Sequence, residues 1–173
     1  MAREERQESL LIGEYAFMGR DSLKLAASVV ACELVGVAGA VFTTPAIPGW
    51  YASLSKPWFT PPGWVFAPVW TLLYLLMGVA AFRVWRLPNR RERNRALGLF
   101  GVQLFLNFSW SLVFFGMRSP ALGVAIIVLL WLAVAATMRA FLKLDRKAAW
   151  LLAPYLAWVS FAALLNVAVW MLN

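Results

Sequence analysis

Apolar and polar positions follow one another along this chain in long blocks. Five blocks, near Leu23–Phe42, Trp64–Trp85, Ala96–Phe115, Ala121–Leu142 and Ala148–Leu172, are apolar almost throughout. Each reaches the roughly 20 residues that a helix needs to cross a hydrocarbon core. Their apolar character runs round the whole helical circumference, unlike the one-sided stripe of a soluble surface helix. A β-barrel would need repeated alternating segments of about ten residues, which the chain lacks. The pattern predicts an all-α integral membrane bundle of five transmembrane helices.

The connections between blocks set the expected orientation, because Lys and Arg in short loops are retained on the cytoplasmic side. Arg3, Arg6, Arg20 and Lys24 precede the first span, Arg83, Arg86, Arg90, Arg91, Arg93 and Arg95 surround the second connection, and Arg139, Lys143, Arg146 and Lys147 surround the fourth. Only Lys56 and Arg118 fall at the other end. This places the N-terminus in the cytoplasm and the C-terminus outside. Composition agrees with membrane residence: 62% of residues are hydrophobic and 14% charged, against about 45–50% and about 25% in soluble domains. The net charge of +8 is then explained by topology and contact with anionic lipid, and gives no support to nucleic-acid binding.

Residues 1–21 hold five of the eight acidic residues, interspersed with Leu10, Leu11, Ile12, Tyr15 and Phe17. They read as a cytoplasmic or interfacial extension; a cleavable signal peptide is disfavoured, because Glu4, Glu5 and Glu8 offset the basic start and the next apolar stretch is of full span length. Residues 22–173 form the five-helix domain.

Between the first two blocks lies a Trp- and Pro-rich loop at residues 43–63. The stretch Trp50 to Tyr74 contains four of the ten tryptophans and four of the nine prolines. Proline fixes φ and disfavours helix in the residue before it, so Pro57, Pro61 and Pro62 predict a stiff, non-helical lid after a short helical turn at Trp50–Lys56. Trp58 and Trp64 bracket the Pro-Pro step, where rings with an apolar body and a polar N–H suit a membrane boundary or a pocket rim.

Several chemistries are excluded. Without histidine the chain has no His-based triad and no histidine-ligated zinc or haem. Its single cysteine, Cys32, makes no internal disulfide; it reads as a small packing residue, with thiolate ligation of haem iron as the sharper alternative. No metal site and no Gly-rich phosphate loop is expected. Gln103, Asn107 and Asn166 are amides inside apolar spans, where hydrogen bonding between helices is the usual answer; Asn107 and Asn166 are also candidates to face a cavity. Pro68 and Pro154 should bend their spans. Gly36 with Ala40, and Gly98 with Gly101, permit close helix approach, within the monomer or at a dimer seam. Glu33 stands about ten residues into the first span and must be protonated, paired or wet; Lys24 and Arg139 are its candidate partners. Trp85, Trp150 and Trp170, near span ends, suit an interfacial belt.

The segments WYASLSKPWFTPPGWVFAPVWTLLYLLMG, QLFLNFSWSLVFFGMRSP and AAWLLAPYLAWVSFAALLN together resemble the translocator protein family, also called tryptophan-rich sensory proteins or peripheral-type benzodiazepine receptors. The resemblance covers roughly residues 30–172. It implies a five-helix bundle, often a homodimer, with a ligand pocket under the first loop that takes porphyrins such as protoporphyrin IX and haem, or other hydrophobic small molecules. The positions matching the family's pocket are Trp50, Tyr51, Trp70, Asn107, Trp110, Trp158, Ala162 and Leu165. Trp70 and Trp158 match two tryptophans implicated in porphyrin degradation, and are the candidates for any catalysis. Three readings stay open: a porphyrin-binding receptor or sensor, a light- and oxygen-dependent enzyme that degrades protoporphyrin IX, and a transporter of tetrapyrrole or lipid. Lys56 is a candidate partner for a porphyrin carboxylate. The C-terminal LLNVAVWMLN lacks the Tyr-and-basic pattern linked to cholesterol, which together with the absence of a targeting tail points to a bacterial inner membrane.

Overall fold

The computed structural model describes residues 2–88 and 90–173, with side chains from Asp21 onwards. The surroundings expected for the extension at 1–21 therefore lie outside the described side chains. Helix α1 (Ala2–Ala46) runs into a π-helical turn, Ile47–Tyr51; a 3₁₀ turn, Gly63–Val65, leads into α2 (Phe66–Trp85). Helix α3 (Arg90–Ser111) ends in a second π-helical turn, Leu112–Gly116, and is followed by α4 (Pro120–Leu142), α5 (Arg146–Leu151) and α6 (Ala153–Leu172). Five helical segments are long and apolar enough to cross a membrane: Asp21–Tyr51, Gly63–Trp85, Arg90–Gly116, Pro120–Leu142 and Arg146–Leu172.

One boundary differs from expectation for a physical reason, and one expected bend is found. The first span continues to Tyr51, with Pro45 inside α1 and Pro48 in the wider turn that follows. Each proline removes one backbone donor, and a membrane helix absorbs that loss through local adjustment, here the widened turn Ile47–Tyr51. The short turn expected at Trp50–Lys56 is thus the end of the first helix, and the irregular lid shortens to the residues before Gly63. The fifth span is broken at Leu152, two residues before Pro154, as proline's missing N–H and ring clash require.

The bundle packs α1 against α2 and α3, α3 against α4, α4 against α6, and the short α5 against α2 and α4. At one end Arg83 pairs with Asp145 at 2.8 Å, and Asp21 lies 3.8 Å from Lys24 and 4.0 Å from Arg86. These contacts gather the start of the first span with the second and fourth connections. Asp145 also caps α5 by accepting from the Ala148 amide at 3.0 Å. Burial works to raise its pKa, but the Ala148 amide and the Arg83 guanidinium outweigh it and hold the carboxyl below its ordinary value.

At the other end the lid is tied to the C-terminal residue. The Ser55 amide donates to Asn173 Oδ1 at 3.0 Å, and Asn173 Nδ2 donates to the carbonyls of Ser55 at 3.0 Å and Val169 at 2.8 Å. Trp58 and Trp64 point outward, 95% and 75% exposed, as membrane-boundary residues would. Trp85, Trp150 and Trp170 are likewise exposed at span ends. Close approach of α1 and α2 depends on two glycines: a Cβ at Gly36 would overlap the Tyr74 ring, and one at Gly78 would meet the Val29 backbone. Gly98 and Gly101 have nothing within 4 Å of an added Cβ, so they face away from this bundle.

Candidate ligand cavity

The polar residues inside the spans form a floor across the bundle. Tyr74 Oη on α2 donates to Asn107 Oδ1 on α3 at 2.5 Å, and Asn107 Nδ2 donates to Tyr155 Oη on α6 at 3.1 Å. One turn further along α3, Trp110 Nε1 donates to Asn166 Oδ1 at 3.0 Å, while Asn166 Nδ2 donates to the Pro120 carbonyl at 2.9 Å. Asn107 and Asn166 are buried, so these bonds satisfy groups that hydrocarbon cannot. Gln103 is served less well: its Nε2 contacts Met77 Sδ at 3.9 Å and its buried Oε1 has no partner.

Above this floor a cavity of about 350 Å³ lies between α1, α2, α3 and α6. That is within the range of small-molecule sites, roughly 300–1,000 Å³. Its wall is aromatic: Tyr51 beneath the lid, Phe66, Trp70 and Tyr74 from α2, Trp110, Phe114 and Phe115 from α3 and its π-helical turn, and Trp158 from α6. The rings hold one another in place. Trp70 stacks on Tyr74 at 5.5 Å between centroids, Trp110 stacks on Phe114 at 5.2 Å, and Trp158 meets Phe66 edge-on at 6.0 Å. The first helix supplies small residues instead, among them Gly36, Gly39, Ala40 and Thr43, and so leaves the space that the rings surround.

Of the positions singled out from the sequence, Tyr51, Trp70, Trp110, Trp158, Ala162 and Leu165 line the cavity. Trp50 stands behind the wall, edge-on to Phe114 at 5.6 Å and Phe115 at 6.5 Å. Asn107 lies in the floor with both ends of its amide engaged; Asn166 reaches the wall while bonded to Trp110. The role suggested for Lys56 does not survive. Its ammonium donates to the carbonyls of Tyr51 at 2.8 Å, Ala52 at 3.1 Å and Leu54 at 2.8 Å, and sits 5.0 Å from the Tyr51 ring centroid. It closes the end of the first helix, where a cation answers the unpaired carbonyls. Cys32 is buried in the core and is not part of the cavity wall, which leaves it the packing role. Among the described residues no acidic or thiol cluster suits a metal ion.

Phe66, Tyr74, Phe114 and Phe115 are aromatic wall residues that sequence reasoning left out. The last two stand in the π-helical turn Leu112–Gly116, which the apolar run LVFFG does not distinguish from ordinary helix.

The sequence pattern defining the TspO/MBR family matches residues 28–171, which carry all of these walls. The chain belongs to the TspO/MBR family. It is 44% identical over 160 residues to the tryptophan-rich protein TspO of Chlorobaculum tepidum, covering 90% of this chain and 99% of that one. It is 46% identical over 124 residues to the tryptophan-rich sensory protein of Cereibacter sphaeroides, covering 72% and 77%. With the translocator protein of Bos taurus the identity is 39% over 143 residues, covering 82% and 85%. Family membership and the five apolar spans make this an integral membrane protein.

Proposed function

We propose that this family member is a membrane receptor or sensor that binds porphyrins, protoporphyrin IX and haem among them, in the cavity beneath the lid. The observation that carries the reading is the wall itself: eight aromatic rings, from the end of the first helix, α2, α3 with its π-helical turn, and α6, surround one apolar space. A porphyrin is a flat, largely apolar disc edged by two carboxylates. Indole and phenol rings stack on such a face, and a wet rim receives the charges. Trp70, Trp158, Tyr51 and Trp110 are the proposed stacking residues, with Ala162 and Leu165 shaping the remaining wall.

The orientation proposed is N-terminus in the cytoplasm and lid outside, because the basic connections gather at the end opposite the lid. The membrane proposed is a bacterial inner membrane. A homodimer is part of the proposal, with the outward Gly98 and Gly101 of α3 as its seam.

Titration of the detergent-purified protein with protoporphyrin IX in the dark, followed through tryptophan quenching, tests the reading: quenching should saturate. Quenching that rises linearly without saturation would refute it. A second reading, light-driven degradation of the porphyrin, is favoured by one observation, that Trp70 and Trp158 both line the same cavity. Indoles are oxidisable, so under illumination in air this reading expects loss of the porphyrin absorption band that slows when either residue is replaced by Phe.

A further inference from the structure

The cavity wall contains one charged side chain among the described residues, Glu33. It shares a face of α1 with Val37, Ala40, Thr44 and Ile47, at the three- and four-residue spacing of one helical edge, and all five line the cavity. At 1.5 Å rise per residue Glu33 lies about 21 Å along the helix from Ile47, close to the middle of the first span. The partners that sequence reasoning offered do not reach it. Lys24 is engaged with Asp21, and no ion pair among the described residues includes Glu33 or Arg139. The only other titratable side chains among the described residues of the cavity wall are Tyr51 and Tyr74, both ordinarily neutral at pH 7. No Lys or Arg lines the cavity on α2, α3 or α6.

A carboxyl group at this depth is expensive unless it serves a partner. We propose that Glu33 is the specificity-determining group of the cavity: it receives a nitrogen donor of the ligand, an ammonium or an N–H, and turns anionic groups towards the lid. The proposal deepens the porphyrin reading and rests on the same cavity. An ionised Glu33 and a ligand carboxylate cannot share a low-dielectric space that holds no cation. A tetrapyrrole therefore enters with its carboxylate edge at the lid and its pyrrole N–H groups nearer α1. A ligand bearing an ammonium ion at its inner end gains an ion pair in place of a repulsion.

The test uses two probe pairs on the full-length protein in detergent, read by tryptophan quenching in the dark. One pair is protoporphyrin IX and the same ring with aminoalkyl chains in place of the propionates. The other is a naphthylalkylamine and its uncharged N-acetyl derivative. The wild-type protein should prefer each amine over its partner at least tenfold at pH 8, and Glu33→Gln should bring both preferences to within about twofold. In the wild-type protein itself the amine preference should fall as pH is lowered and Glu33 takes up a proton. The proposal is overturned if the preference is absent, if it survives in Glu33→Gln, or if that variant weakens both members of each pair equally. The two readings separate cleanly. A Glu33-dependent preference in the naphthyl pair without saturable porphyrin binding sinks the porphyrin reading alone, and saturable porphyrin binding without any amine preference sinks the Glu33 assignment alone.

Discussion

Replacing Gly78 by alanine tests the helix contact on which the cavity's shape depends. A Cβ built at Gly78 would lie 2.5 Å from Val29 Cα and 3.0 Å from its backbone nitrogen. Carbon atoms rest about 3.5–4.0 Å apart, so α1 and α2 would have to separate by roughly 1 Å or more. The obstacle is backbone, which cannot swing aside as a side chain can. Overpacking of this kind costs about 1–3 kcal/mol, while alanine's better helix propensity returns up to about 1 kcal/mol. Gly98→Ala isolates that second contribution in protein held monomeric by excess detergent, because within one chain an added Cβ there meets nothing within 4 Å. The difference between the two variants should therefore be about 1–3 kcal/mol, with Gly78→Ala the less stable. Reversible unfolding in mixed detergent micelles measures it. Variants that unfold within about 0.5 kcal/mol of each other would refute the close α1–α2 packing described here.

Three further outcomes are expected. Asn107→Leu strands the hydroxyls of Tyr74 and Tyr155; at about 0.6 kcal/mol per interhelical bond, rising to about 1.7 at most, it should cost about 1–3 kcal/mol by the same unfolding assay. Trp158→Ala should weaken protoporphyrin IX binding by about 1–3 kcal/mol in the dark titration, as loss of one stacking ring does elsewhere, and an unchanged affinity in the folded variant would remove Trp158 from the binding surface. Asp145 has a folded pKa below its unfolded value of about 3.9. Its contribution is thus complete above pH 4 and lost as pH falls through the folded value, so stability should decline on acidification below pH 4, and less so in Asp145→Asn.

The five spans were legible because hydrocarbon demands length and apolarity, which are properties of composition along the chain. The break before Pro154 was legible for the same kind of reason, since proline's chemistry acts locally. The extension of the first span to Tyr51 was not legible, because the donors lost at Pro45 and Pro48 are absorbed by a wider helical turn, and whether a turn can widen depends on neighbours far away in sequence. In the cavity, the aromatic wall could be named from Trp70, Trp110 and Trp158, whose rings stand out among aliphatic residues. The α1 wall could not, because Gly36, Gly39 and Ala40 contribute by what they lack. Lys56 illustrates the reverse case: a cation beside aromatic rings invites an anionic ligand, until the end of the first helix is seen to claim all three of its donors. Asn107 and Asn166 were correctly read as polar groups needing partners, although which helices supplied them required the fold.

The central claim is that porphyrin occupies the cavity between α1, α2, α3 and α6. Filling that space is the most direct test, and Ala162, a small residue on the α6 wall, is the place to do so. The measurement is the dark protoporphyrin IX isotherm of Ala162→Phe in monodisperse, folded protein, compared with wild type. Binding weakened at least tenfold is the outcome this account predicts; an isotherm that matches wild type would mean that porphyrin binds somewhere else.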